Sequence, residues 1–97
     1  MATDDVYRTR DGQAFFKFRF HDAGNCYHAY ILEMPSYGNR SRNLHTTHRY
    51  ETNSGYRICL KNEEDLMYSL SAARKWAGNW AEYTWRYIKT GKEFDNV

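Results

Sequence analysis

The sequence predicts an α+β fold: an antiparallel meander of about four strands with one long C-terminal helix packed across one face. Three observations point there. Phe16, Phe18 and Phe20 alternate with Lys17, Arg19 and His21, the period of a half-buried strand. Turn residues recur at Asp22-Ala23-Gly24-Asn25 and at Asn53-Ser54-Gly55. Beyond them the apolar period changes from two to 3.6, and Leu66, Leu70, Ala73, Ala77, Trp80, Ala81, Thr84 and Ile88 fall within an arc of roughly 100°.

The helix is expected over 63–90. Asn62 is a good N-cap, and Glu63, Glu64 and Asp65 suit the positive end of a helix dipole. Gly91 stands where a left-handed C-cap belongs. Trp76, Tyr83 and Tyr87 widen the apolar arc, while Lys75, Asn79, Glu82, Arg86 and Lys89 lie opposite. Most of the helix rings are therefore core. Trp85 and Met67 fall off the stripe near Arg74 and are the helix's candidates for exposed apolar contacts.

The strands are expected at 13–20, 26–34, 44–50 and 56–60, so the sheet occupies 13–60. With Ala23-Gly24 as the loop, Phe20, Phe18 and Phe16 would pair with Tyr27, Ala29 and Ile31 on the inner face. Arg19 and Lys17 would pair with His28 and Tyr30 on the outer one. Pro35 ends the second strand because it cannot donate to a ladder. If Tyr50 opposes Tyr56, Arg49 shares a face with Arg57. Residues 1–11 are polar and expected to be partly disordered. Residues 92–97 form a tail in which Phe94 can fold back on the helix end.

The 97 residues make one domain, 1–97, with a modest core. Nine tyrosines, three tryptophans and five phenylalanines suit an interface as well as a core. Cys26 and Cys59 form no framework or CxxC pair and are expected to be buried, reduced thiols. With a polar start and no long apolar run, the expected location is cytoplasmic, with no membrane association.

A net charge of +2 does not demand nucleic acid, but its distribution is informative. No acid stands between Glu33 and Glu51, while Arg40, Arg42, Arg49, His45 and His48 do. The outer sheet face is expected to carry Lys17, Arg19, His28, Tyr30, His45, Arg49, Arg57 and Lys61 without a balancing carboxylate. Arg40 and Arg42 would stand at its edge. Such a face can hold phosphates or an acidic protein surface, and Tyr27, Tyr30, Tyr37 and Tyr50 could stack on bases. Against this, any sheet with one wet face needs polar residues there. His45 and His48, three apart on a strand, would face opposite sides and share no metal. There is no Gly-rich phosphate loop, Walker or RNP-type motif, so neither an enzyme nor a cofactor is expected.

Two segments together carry a resemblance. One is Tyr27-His28-Ala29-Tyr30-Ile31-Leu32 with Pro35-Ser36-Tyr37, Arg40 and Leu44-His45-Thr46-Thr47-His48. The other is Trp76-Ala77 with Thr84-Trp85-Arg86-Tyr87-Ile88, Thr90-Gly91 and Phe94. They resemble small uncharacterised proteins carried by bacterial prophages and mobile elements, a group that includes inhibitors of host defence such as anti-CRISPR proteins. The resemblance implies stoichiometric binding to a host protein or ribonucleoprotein in the host cytoplasm, by a monomer or dimer. Its mildly basic charge sets this chain apart from the acidic inhibitors that mimic DNA. The contact is expected at Arg40, Arg42, Arg49, Tyr37 and His45, supported by Arg19 and Arg57, with arginine forks on carboxylates or RNA phosphates. A nucleic-acid-binding regulator would use the same surface for direct RNA or DNA contact. An enzyme would instead need a pocket joining His45 or His48 to Cys26 or Cys59.

Overall fold

Alternate phenylalanines on one strand supply the centre of the fold. In the computed structural model, which describes residues 2–59 and 68–94, Phe16, Phe18 and Phe20 are all buried. Among the described residues five strands and one helix follow in order: β1 (Ala2–Arg8), β2 (Phe15–Asp22), β3 (Tyr27–Glu33), β4 (Arg49–Thr52), β5 (Gly55–Ile58) and α1 (Leu70–Thr90). The strands form one antiparallel sheet in the order β1-β2-β3-β5-β4, with α1 packed on one face. The chain has the expected α+β architecture.

β2 and β3 pair as an inner and an outer row, but two residues out from the expected register. Phe20 opposes Ala29 and Phe18 opposes Ile31. The loop is longer than Ala23-Gly24, because Asp22 pairs with Tyr27 and the Ala23 N–H donates to the Cys26 carbonyl at 2.8 Å. Since strand side chains repeat every two residues, a slip of two keeps every phenylalanine on the core side. A bulge near Lys17 then leaves Leu32 as an extra residue in β3.

β1 replaces the disorder expected at the amino end. Residues 2–8 pair with β2 from Ala2↔His21 to Arg8↔Phe15. Its polar side chains find partners far away in sequence. The Tyr7 hydroxyl donates to Glu82, Asp5 pairs with Arg74, and Asp4 receives both forks of Arg19 at 2.8 and 2.9 Å. The hairpin that follows is tied to α1 through Asp11. Its carboxylate accepts from the Gln13 N–H, Thr9 Oγ1, Trp85 Nε1 and Lys89 Nζ, all within 2.9 Å. Trp85 and Arg74 thus fasten the hairpin and β1 to the helix, and Trp85 is only half exposed.

The described helix begins later than expected. Ser69 has extended backbone, and its Oγ accepts from the Ala72 N–H at 3.1 Å, so the cap is a serine. Asn62, the carboxylates at 63–65, Leu66, Met67 and Lys61 lie outside the described residues. At the other end Gly91 takes the expected left-handed conformation, and its N–H donates to the Tyr87 carbonyl at 2.8 Å. Ala73, Ala77 and Ala81 have no side-chain bulk to hold the helix off the sheet, so the phenylalanines reach it and Trp80 packs edge-on against Phe16 and Phe18.

Gly78 marks the closest approach. A Cβ there would lie 3.0 Å from Tyr7 Cε1. Alanine is favoured in a helix interior by about 1 kcal/mol, but here the Tyr7 ring must move and its bond to Glu82 weakens. Gly78→Ala is expected to cost about 1 kcal/mol in the native chain and to gain a similar amount in a Tyr7→Ala background. Urea unfolding of the two pairs reads the sign reversal.

The meander breaks after β3. Residues 44–48 form a turn and only Arg49 and Tyr50 of the expected third strand enter β4, so β5 lies beside β3 and β4 takes the edge. The connection is anchored at the carboxyl end of α1. Tyr37 packs on Tyr87, the Tyr87 hydroxyl donates to the Ser41 carbonyl at 2.8 Å, and Arg40 donates to the carbonyls of Ile88 and Lys89. That anchorage carries the chain past the sheet edge, and it re-enters from outside.

Two groups make stability depend on pH. Bonds from the Gln13 N–H, Lys89, Thr9 and Trp85 hold the Asp11 carboxyl well below its ordinary 3.8. The unfolded chain takes up a proton first on acidification, so this contribution is complete above about pH 5 and lost as pH falls. Burial and the Glu82 carboxylate push Tyr7 up to about 12 from an ordinary 10.0. Its contribution is complete below the ordinary value and lost as pH rises toward 12. Asp11→Asn is expected to flatten the acid limb and Tyr7→Phe the alkaline limb of a plot of urea midpoint against pH.

Candidate nucleic-acid interface

With α1 on one side, the opposite face of the sheet points to solvent. Val6, Phe15 and Tyr50 on that face are 64%, 47% and 49% exposed. Strand pairing sets one continuous row across all five strands: Asp4, Arg19, Tyr30, Arg57 and Tyr50. His28 stands beside Tyr30, its ring edge-on at 6.5 Å.

The expectation that this face lacks carboxylates is corrected by β1. Asp4 pairs with Arg19, and Glu33 comes within 3.9 Å of Lys17. Positive charge is therefore compensated toward β1. Toward β4 the described residues form no such pair. Among the described residues Arg57 forms no ion pair, and its guanidinium lies 5.1 Å from the centre of the Tyr50 ring. Burial first, then the Arg57 charge and His21, lower the pKa of His28 below its ordinary 6.5, which favours its neutral form. The β4 half of the row thus offers a cation against the Tyr50 ring, with Tyr30 opposite in register and an imidazole alongside. Flat rings stack on bases and a guanidinium bonds phosphate, so this half suits an unpaired nucleic-acid strand.

The other expected contact residues divide sharply. Arg49 opposes Ile58, one residue from the anticipated register, so it stands on the helix side of the sheet. Its guanidinium covers Tyr56 at 4.3 Å and Tyr37 at 5.0 Å, and it donates to Thr47 Oγ1 and the Arg42 carbonyl at 2.9 Å. Tyr37 is 6% exposed, and burial raises its pKa. Arg40 caps the helix end. These three hold the connection before β4 in place and do not form a free surface. Arg42 and His45 are exposed in the turn before β4, while Arg19 and Arg57 lie on the outer face. Tyr27 is on the inner face, half buried against the core. The sheet pairing adds Asp4, Val6 and Phe15 to the outer face. Strand alternation in the first eight residues is the signal that could have placed Asp4 and Val6 there.

The segment holding His45 and His48 is a turn, so their rings come to one side, 6.4 Å apart and inclined by 19°. Among the described residues no group of three His, Cys, Asp or Glu side chains could hold a metal ion, and no helix is long and apolar enough to cross a membrane.

In comparison with known proteins, no family model, curated protein or solved structure matches the chain.

Proposed function

We propose that the protein is a small non-catalytic binding module that takes single-stranded nucleic acid on its outer sheet face. The observation that supports this is the row Tyr30, Arg57 and Tyr50, in which a guanidinium that forms no ion pair among the described residues lies against the Tyr50 ring, with Tyr30 opposite in register. Tyr30 and Tyr50 stack on bases, and Arg57 bonds the phosphate between them. Base stacking is worth about 1–3 kcal/mol per base and tolerates any sequence, so the module discriminates strand state more than sequence. With one principal cation, affinity depends weakly on salt, at a slope near −0.7 per phosphate contacted. In a host cell such a module inhibits a nucleoprotein complex by occupying the strand that the complex needs, whereas the resemblance to prophage-borne proteins implies inhibition by stoichiometric binding to the complex itself.

Fluorescence anisotropy with labelled oligothymidine and oligouridine of about ten nucleotides tests the reading. Tyr30→Ala and Arg57→Ala are each expected to weaken binding by about fivefold or more. Arg40→Ala should leave affinity unchanged while lowering the melting temperature, because it removes a helix cap. Absence of binding at about 50 mM salt, or indifference to Tyr30→Ala, overturns the proposal.

A further inference from the structure

A second array of rings lies beside β4. The His48 imidazole stacks on Phe94 with centroids 4.5 Å apart and planes 6° from parallel. Phe94 lies 5.3 Å from Tyr83, and the Arg86 guanidinium covers Tyr83 at 5.1 Å. At the opposite end His45 continues the series beyond His48. The row therefore runs from a guanidinium through three half-buried rings to one exposed imidazole.

The backbone is held in an unfavourable conformation to make this row. His48 has φ 52, the left-handed region that a side chain disfavours by roughly 1–2 kcal/mol. The turn around it is fixed from three directions. The His48 carbonyl accepts from the Cys59 N–H at 2.9 Å and from Trp80 Nε1 at 3.1 Å. The Thr47 carbonyl accepts from the same indole at 3.2 Å. The Asn43 side-chain oxygen accepts from the N–H groups of His45 and Thr46. These bonds pre-organise the His45 ring without the ring itself taking part in them. Arg42, three residues earlier, is exposed, and among the described residues only its carbonyl is engaged, by Arg49. Tyr50 of the outer face follows five residues later on the edge strand.

We propose that the exposed His45 ring takes one nucleobase of the strand bound on Tyr30 and Tyr50, so that the strand turns round the β4 edge with Arg42 on its phosphate. This inference rests on the outer face being a nucleic-acid platform. Its occupant follows from the flat ring at the end of a fixed stack and from continuity with Tyr50 across the edge. A base added there completes a stack whose order the fold has already imposed, so little further ordering is needed.

The test is anisotropy with oligothymidines of increasing length, from about three to about twelve nucleotides. Wild type is expected to gain affinity once the strand is long enough to reach His45. His45→Ala should bind the shortest oligomers as wild type does and lose about fivefold or more on the long ones, whereas His45→Phe should keep the gain. Tyr30→Ala should weaken every length. If His45→Ala matches wild type at all lengths while Tyr30→Ala weakens binding, the His45 site is overturned and the platform stands. If Tyr30→Ala also has no effect, both are overturned.

Discussion

Phe18→Ala is expected to destabilise the protein by about 3–5 kcal/mol, a large part of the margin of a domain this size. Phe18 is 1% exposed and central to the aromatic core. Its ring lies parallel to Phe16 at 6.1 Å, tilted to Phe20 at 6.2 Å and edge-on to Trp80 at 6.0 Å. The cost belongs at the high end because the opposing layer cannot collapse into the vacancy. Ala73, Ala77 and Ala81 have no rotamers with which to fill it, and the neighbouring rings are held by their own contacts. Phe15→Ala on the same strand is the control. Phe15 points to the solvent face, and its loss should cost less than about 1 kcal/mol. Urea unfolding distinguishes the two, and equal losses would mean that the inner face does not dominate the core.

Among the described residues one helix covers only one side of the sheet, which leaves the outer face to solvent. Both edges of that sheet are also blunted. β1 carries Asp4 and Asp5 near its middle, and β4 is four residues long. Charged or short edges resist pairing with another chain, which agrees with a proposed binding surface on the face of the sheet.

The parts of this arrangement that could be read from the sequence were those with a local period. Phe16, Phe18 and Phe20 fixed the inner face of β2, and the 3.6-residue spacing fixed the buried side of α1, with Gly91 as its end. The parts that could not be read depend on partners distant in the chain. Nothing local in residues 2–8 shows that Asp5 will meet Arg74 or that Tyr7 will meet Glu82, 75 residues on. Without β1, Arg19 looks like an uncompensated cation. Arg40 looked like a contact residue because charge in a loop is ordinarily solvated, and Arg49 because the expected strand register put it on the outer face with Arg57. The fold instead spends one on helix carbonyls and the other on Tyr37 and Tyr56. Arg57 was recognisable as an outer-face residue from strand alternation, although its place opposite Tyr50 needed the actual register.

Trp80 is the second position where a large effect is expected, and it has two separable roles. Its ring packs edge-on against Phe16 and Phe18, while its Nε1–H reaches the carbonyls of both Thr47 and His48. Trp80→Ala removes both roles and should cost about 3–5 kcal/mol. Trp80→Phe keeps most of the packing but removes the donor. The Thr47 carbonyl then has no indole partner, whereas His48 keeps its bond from the Cys59 N–H. The expected cost is about 1–3 kcal/mol, arising in the turn before β4. Because the left-handed backbone at His48 is held partly by that indole, Trp80→Phe should speed amide hydrogen exchange at residues 45–49 while leaving the centre of β2 protected. It should also reduce the affinity gained by long oligonucleotides without affecting short ones, since Tyr30 and Arg57 lie on the other face of the sheet. Faster exchange throughout β2 in Trp80→Phe would show instead that the indole bond supports the whole core. The coupling from Trp80 through the turn to His45 would then lose its basis.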